Sequence, residues 1–374
     1  MNNVQRLNQS GQSIWYDNIS RSIITRGELK KMVEEGLTGV TSNPTIFDKS
    51  ISGSKDYDEQ IRELVDADPA VDAAEIIRAL MVKDIQMACD VLKPVYDRTG
   101  GLDGYVSIEV TPSKARDTQG TIEEVRELWT GVNRKNVMVK IPATREGLPA
   151  IEQMIYEGRN INVTLIFSVE RYREVAGAYI AGLERRVKEG KPLAGVASVA
   201  SVFVSRIDTL VDDMLAKKDA ATYKTLMGRA AVANTKMVYQ AFKEIFGGQR
   251  FSSLRAGGAR VQRPLWGSTG TKNPSYSDLL YVDTLIGPDT VNTVPPQTYA
   301  AILDHGEPAL TVESDLGGAR KVLSDLAAAG VDMKVVLQKL ESDGVAAFEK
   351  SFDGLYKNLV EKREQFAQAD VPNS

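Results

Sequence analysis

The feature that most limits how this chain can fold is a recurring alternation of short β-branched runs with longer stretches of helical spacing. Strand candidates fall at 13–17, 38–42, 105–110, 136–141, 161–167, 195–204, 260–266 and 279–285. Helical stretches lie between them at 26–36, 68–97, 121–132, 144–158, 168–190 and 219–246, and two more, 315–329 and 331–367, finish the chain. Alternation of this kind implies parallel strands in one sheet, because each helix carries the chain back across its face. About eight such units predict a closed (β/α)8 barrel, the TIM-barrel form of the α/β class. An open doubly wound sheet usually declares a GxGxxG turn after its first strand, and none follows residue 17. The expected organisation is one domain: a barrel core over about residues 13–300 and a C-terminal helical extension over about 301–374. Residues 50–70 read as a decoration of that barrel.

Local signals refine this reading. Thr121-x-x-Glu124 has the form of a capping box at the start of a helix, and Ser168 that of an N-cap. Asp68-Pro69 opens the helix over 68–97, and Gly344 and Gly354 are candidate breaks in the last one. Packing of the C-terminal helices across the barrel bottom and packing against a second subunit both stay open.

Composition removes several kinds of chemistry. There is one cysteine, Cys89, and one histidine, His305, so intrachain disulfides, Cys/His zinc spacings and histidine-cluster metal sites are excluded. A Ser-His-Asp mechanism is disfavoured, which leaves acid–base work to Lys, Asp, Glu or Tyr. Cys89 reads as a buried filler in a helix and His305 as the cap of a surface helix. Net charge is −4, which argues against a nucleic-acid or membrane-surface partner. Residues 1–17 lack the apolar centre of a signal peptide, and no run of about 18 uncharged apolar residues occurs, so a cytoplasmic protein is expected.

Barrel active sites form at the C-terminal ends of the strands, and polar residues collect there. Asp17 closes the first strand, Asn43 follows the second, and Glu109 and Lys140 lie near the ends of the third and fourth. Asn162 and Thr164 stand two apart on the fifth and so share a face. Ser201 lies on the sixth with Arg206 after it, and Ser268, Thr269 and Lys272 follow the seventh. Lys140 is the sharpest signal. Alternation puts it with Met138 on one face and Val137, Val139 and Ile141 on the other, which packs on helices, so Lys140 points into the barrel. A buried ammonium is paired or has a lowered pKa, and the second condition is what a Schiff-base nucleophile needs. A rim lysine paired with Glu109 or Asp17 for structural reasons is the alternative. Asn162 and Thr164 suit either the orientation of hydroxyls and a water or a polar layer that satisfies itself. Arg206 and Lys272 suit a phosphate or plain solvation. The Gly267–Lys272 loop could offer N–H groups to a phosphate, although its spacing is not that of a P-loop.

Several segments together carry a family likeness. Asp17, Thr41-Ser-Asn-Pro-Thr45, Ser107-Ile-Glu-Val110, Val139-Lys-Ile-Pro-Ala-Thr144, Asn160-Ile-Asn-Val-Thr-Leu-Ile-Phe-Ser168 and Ser201-Val-Phe-Val-Ser-Arg-Ile-Asp208 resemble transaldolase, one motif per successive strand over about residues 15–285. Length and the Trp266–Pro274 segment look like the longer bacterial branch. The resemblance implies that Lys140 attacks the C2 carbonyl of a ketose phosphate. It implies that Asp17 takes the proton of the C4 hydroxyl as the C3–C4 bond breaks, and that Glu109 shuttles protons through a water near Thr164. Asn43, Asn162 and Ser201 would hold the hydroxyls of the three-carbon unit, and Arg206 the phosphate, helped by Ser268 and Lys272. It further implies sugar-phosphate substrates, no cofactor or metal, a monomer or homodimer, and a place in the non-oxidative pentose phosphate pathway.

Phe203 stands where related fructose-6-phosphate aldolases carry tyrosine, which would favour transfer over release. Ser201-Val202-Phe203 replaces the Ser-Pro-Phe of shorter enzymes. Two rival readings remain: a class I aldolase that releases dihydroxyacetone, and a catalytically idle barrel serving as a binding partner.

Overall fold

The structure is a computed structural model in which residues 1–369 are described. Strands β1 (Gln12–Tyr16), β2 (Gly39–Thr41), β3 (Tyr105–Glu109), β4 (Val137–Pro142), β5 (Ile161–Ile166), β6 (Ser198–Phe203), β7 (Arg263–Gly267) and β8 (Thr290–Val294) form a closed barrel in sequence order. Every neighbouring pair is parallel, and β8 closes on β1 from Gln12 opposite Thr290 to Tyr16 opposite Val294. The (β/α)8 reading therefore holds.

Three layers fill the barrel. At the N-terminal end Arg263 donates to Ser13 Oγ at 2.8 Å and pairs with Asp103 at 3.4 Å, and Trp15 Nε1 donates to Asp103 at 2.6 Å. Above them Trp15, Tyr105, Met138, Val199, Leu265 and Val291 form an apolar plug, separate from the larger core between strands and helices. Trp15 needs room there: a Cβ on Gly39 would overlap its ring, so β2 carries glycine at that point. The third layer, at the C-terminal end, is polar.

Some local expectations are corrected. Residues 279–285 are not the eighth strand; Leu280–Asp283 is a short helix whose Tyr281 hydroxyl donates to Asp208 at 2.8 Å. The strand lies further on and has polar residues at Thr290, Asn292 and Thr293, which hide it from an apolar-run search. The helix expected over 219–246 begins only at Ala230 and runs to Gly247, and a separate helix that the pattern did not show, Ser205–Asp219, precedes it. They are separated where Gly228 takes a left-handed φ of 70° and Tyr276 packs on it. Thr121 and Glu124 form no capping box. That helix begins at Thr118 with Asp117 accepting from Gly120 N at 2.9 Å, while Thr121 donates to the Lys114 carbonyl. The helix expected from Asp68 begins at Ala73, capped by Asp72. Neither Gly344 nor Gly354 breaks the last helix, Met333–Ala369. It crosses the C-terminal end of the barrel, not the bottom: Thr45 and Ser351 share a hydrogen bond of 2.8 Å, and Phe348 faces the barrel mouth. Ser168 does cap Val169–Lys188, Cys89 is buried, and His305 ends the helix Pro296–His305 between Asp278 and Asp304.

The decoration after β2 is tied down electrostatically. Arg21 pairs with the fully buried Asp84 at 2.5 Å, and Tyr57 donates to the same carboxylate at 2.8 Å. Asp84→Ala strands both donors, and stability falls by about 3–5 kcal/mol. Urea unfolding checks this; a loss under about 1 kcal/mol would show the pair to be replaceable by solvent.

Candidate active site

Register brings the polar layer together. Glu109 stands opposite Lys140 across β3–β4, and Lys140 opposite Asn162 across β4–β5. Lys140 Nζ lies 3.1 Å from Glu109 Oε2 and donates to the Ser42 carbonyl at 3.0 Å. Both side chains are almost fully enclosed, 5% and 2% exposed. An apolar pair would serve stability better: each apolar side chain would contribute about 1.5–3 kcal/mol, whereas each buried ion costs several before its partner repays it. Stability alone thus gives no reason for an ion pair here.

Asp17 faces the same cavity, of about 240 Å³. Thr41 donates to its Oδ1 at 2.7 Å. Having given its one hydrogen there, Thr41 accepts from Thr293, 2.6 Å away. Burial pushes the Asp17 carboxyl above its ordinary value, opposed by Lys140, the Thr41 hydrogen bond, Lys272 and Arg206. Burial likewise raises Glu109, opposed by Lys140 and reinforced by Asp17.

Asn43, Ser201, Phe203, Arg206, Ser268 and Lys272 line the cavity with Asp17 and Lys140, so eight of the predicted residues converge. The other three stand behind. Glu109 reaches in through Lys140. Asn162 accepts from Ser201 at 2.6 Å and donates to Ser107 at 3.0 Å, so it holds Ser201 in place. Thr164 is fully buried with its hydroxyl unpartnered. A buried hydroxyl without a partner costs roughly 1–3 kcal/mol, which a water beside it would recover. Asn43 carries a structural duty as well: its Oδ1 accepts from Ile46 N at 3.0 Å and caps the helix Pro44–Ser52.

Arg206 is largely buried, with its guanidinium 5.3 Å from the centre of the Phe203 ring. Burial lowers its pKa from the ordinary value, and Asp17 opposes this. Lys272 and Lys49 line the same cavity. Among the described residues none of these three cations has a carboxylate partner. Ser268 adopts a left-handed φ of 53°, and its hydroxyl meets Ser205 Oγ at 2.9 Å. Three cations without a carboxylate partner beside one cavity have the chemistry to hold an anion.

Comparison with known proteins decides the family. A sequence model described as transaldolase/fructose-6-phosphate aldolase matches residues 14–359. The chain belongs to the transaldolase/fructose-6-phosphate aldolase family. It is 46% identical over 372 residues to "Transaldolase" of Trichodesmium erythraeum, covering 96% of this chain and 97% of that one. It is 47% identical over 365 residues to "Transaldolase" of Saccharopolyspora erythraea, covering 97% and 98%. It is also 47% identical over 362 residues to "Transaldolase 1" of Streptomyces avermitilis, covering 96% and 95%. The family likeness extends into the last helix, to residue 359, beyond the segments that first suggested it.

Thr41, Lys49, Thr293 and Phe348 are among the wall residues that sequence reasoning missed in this family member. Thr41 was within reach, since strand alternation puts it two residues before Asn43 on the inward face. Thr293 was lost with the misplaced β8. Lys49 and Phe348 depend on helix directions that no local pattern supplies.

Proposed function

We propose that the chain is a transaldolase of the non-oxidative pentose phosphate pathway. It moves a dihydroxyacetone unit from sedoheptulose 7-phosphate to glyceraldehyde 3-phosphate, giving erythrose 4-phosphate and fructose 6-phosphate. The observation that carries the reading is Lys140, enclosed at the barrel mouth between the Glu109 carboxylate and the Ser42 carbonyl, with Asp17 facing the same cavity. Lys140 attacks the ketose C2 carbonyl, and loss of water gives a protonated imine. Glu109 passes the protons through a water beside Thr164. Asp17 removes the proton of the C4 hydroxyl, the C3–C4 bond breaks, and the imine accepts the electron pair, so the chemistry needs no metal. Asn43 and Ser201, the latter positioned by Asn162, hold the hydroxyls of the retained unit. Arg206, with Lys272 and Ser268, takes the phosphate.

A releasing aldolase is the second reading, because the family includes fructose-6-phosphate aldolases. Phe203 favours transfer: its ring packs 5.6 Å from Phe167 and offers water no hydroxyl. Borohydride reduction in the presence of fructose 6-phosphate, followed by peptide mass spectrometry, tests the reading. A three-carbon adduct on Lys140 that erythrose 4-phosphate discharges supports transfer; an adduct indifferent to acceptor supports release; no adduct in folded protein overturns both.

Glu109→Gln slows imine formation by about 10²-fold while substrate affinity holds within a few-fold, because the proton shuttle is lost and the shape kept. Single-turnover adduct formation measures this, and an unchanged rate removes Glu109 from the mechanism.

A further inference from the structure

We propose that Phe348, carried by the C-terminal helix, walls the acceptor side of the Lys140 cavity against water. It thereby sets how the bound three-carbon unit divides between an aldose acceptor and water. The inference rests on the Schiff-base reading above and adds a specificity-determining residue to it.

Phe348 is 3% exposed and lines the same cavity as Asp17, Lys140 and Arg206, although it lies more than 200 positions from Lys140 in the chain. Its helix is clamped on both sides. Glu341 meets Arg171 at 3.2 Å; Ser351 meets Thr45, Asn358 meets Ser52 and Lys362 meets Asp58, each at 2.8 Å. One turn before Phe348 the helix passes close to the barrel. A Cβ on Gly344 would stand 2.9 Å from Leu165 Cδ2 and 3.8 Å from Arg206 Nη1. Leu165 itself is held at a left-handed φ of 60°, at the irregular register of β5 beside Thr164. Glycine thus lets the helix rest on the strand end that carries Thr164 and on the phosphate-binding arginine, and Phe348 is seated by that contact.

The place matters because of what happens between half-reactions. Once the first aldose phosphate leaves, the part of the cavity near Arg206 empties while the three-carbon enamine stays on Lys140. Release to water needs a proton at the enamine carbon to give the iminium. Water then adds at C2, its oxygen becomes the ketone oxygen of dihydroxyacetone, the C–N bond breaks, and both its hydrogens remain on the Lys140 ammonium. An aromatic wall keeps water, the proton donor, from the enamine carbon. That protonation is the step release needs and the aldehyde route does not, because the ketose imine formed by transfer is hydrolysed at C2 in the same way.

The test is Phe348→Ala and Phe348→Leu, each assayed for the borohydride-trapped Lys140 adduct and for two rates. One rate is dihydroxyacetone release from fructose 6-phosphate without acceptor; the other is transfer to erythrose 4-phosphate. In Phe348→Ala the adduct still forms and the ratio of release to transfer rises about tenfold. Phe348→Leu, which keeps apolar bulk, stays within about threefold of the parent. An unchanged ratio in Phe348→Ala, or release and transfer falling together, overturns the proposal and leaves the Lys140 reading standing. No adduct in the parent protein overturns both. If Phe348→Ala does not fold, Phe348→Tyr replaces it. A hydroxyl set in the wall raises release relative to transfer, and an unchanged ratio there overturns the proposal too.

Discussion

Lys140→Met removes sugar-phosphate turnover by a factor on the order of 10⁴ or more, and the protein stays folded. Methionine fills nearly the same volume among Met138, Asn162 and Ser42, so packing is kept. The lost charge leaves Glu109 alone in an enclosed site, where an ionised carboxylate would be costly. Burial already pushes Glu109 upward and Lys140 is the main opposing influence, so without it the carboxyl takes up a proton and the cost falls. Circular dichroism and urea midpoints check the fold; the trapping assay checks the chemistry. Turnover persisting in the folded variant would make Lys140 a structural lysine at a barrel rim.

Asp17→Asn slows C–C cleavage by about 10²–10⁴-fold but leaves imine formation intact. Asparagine keeps the shape and still accepts from Thr41, but it cannot take the C4 hydroxyl proton. The trapped species separates this from any binding defect: with fructose 6-phosphate the variant carries the whole six-carbon phosphate on Lys140, whereas the parent carries three carbons. The pH profile supplies a second sign. The base must be ionised, and burial raises its pKa, so parent activity falls with decreasing pH through a value above the ordinary 3.8. The asparagine variant loses that limb. A variant that still accumulates the three-carbon adduct would assign the proton transfer to another group.

The barrel was legible because parallel strands covered by helices read as apolar runs, and most runs here are strongly β-branched. Lys140 was legible for a related reason: a charge within Val137-Met-Val-Lys-Ile141 breaks the pattern on the face that must be enclosed. β8 escaped because Thr290, Asn292 and Thr293 give it too little apolar signal. The helix Ser205–Asp219 escaped because Ile207, Val211 and Leu215 are its only buried apolar residues, one per turn among charged ones. Asp17, Glu109, Asn162 and Ser201 could be placed from alternation and strand ends. The partnership of Asn162 with Ser201 and the empty hydrogen-bonding capacity of Thr164 required coordinates. Phe348 needed more, since its position depends on where a 37-residue helix crosses the mouth.

The filled interior has a consequence for kinetic order. Arg263, Ser13 and Asp103 seal one end, and the Trp15 plug fills the middle, so the cavity at Lys140 is a cup closed at its floor. On the proposed reading, donor, leaving aldose and incoming aldose all use the opposite, open end, and Arg206 takes each phosphate in turn. No phosphorylated sugar can leave through the far end of the barrel while another enters. A floor of this kind and a cavity of about 240 Å³ favour departure before arrival, so the architecture supports the ping-pong order that a covalent intermediate sets.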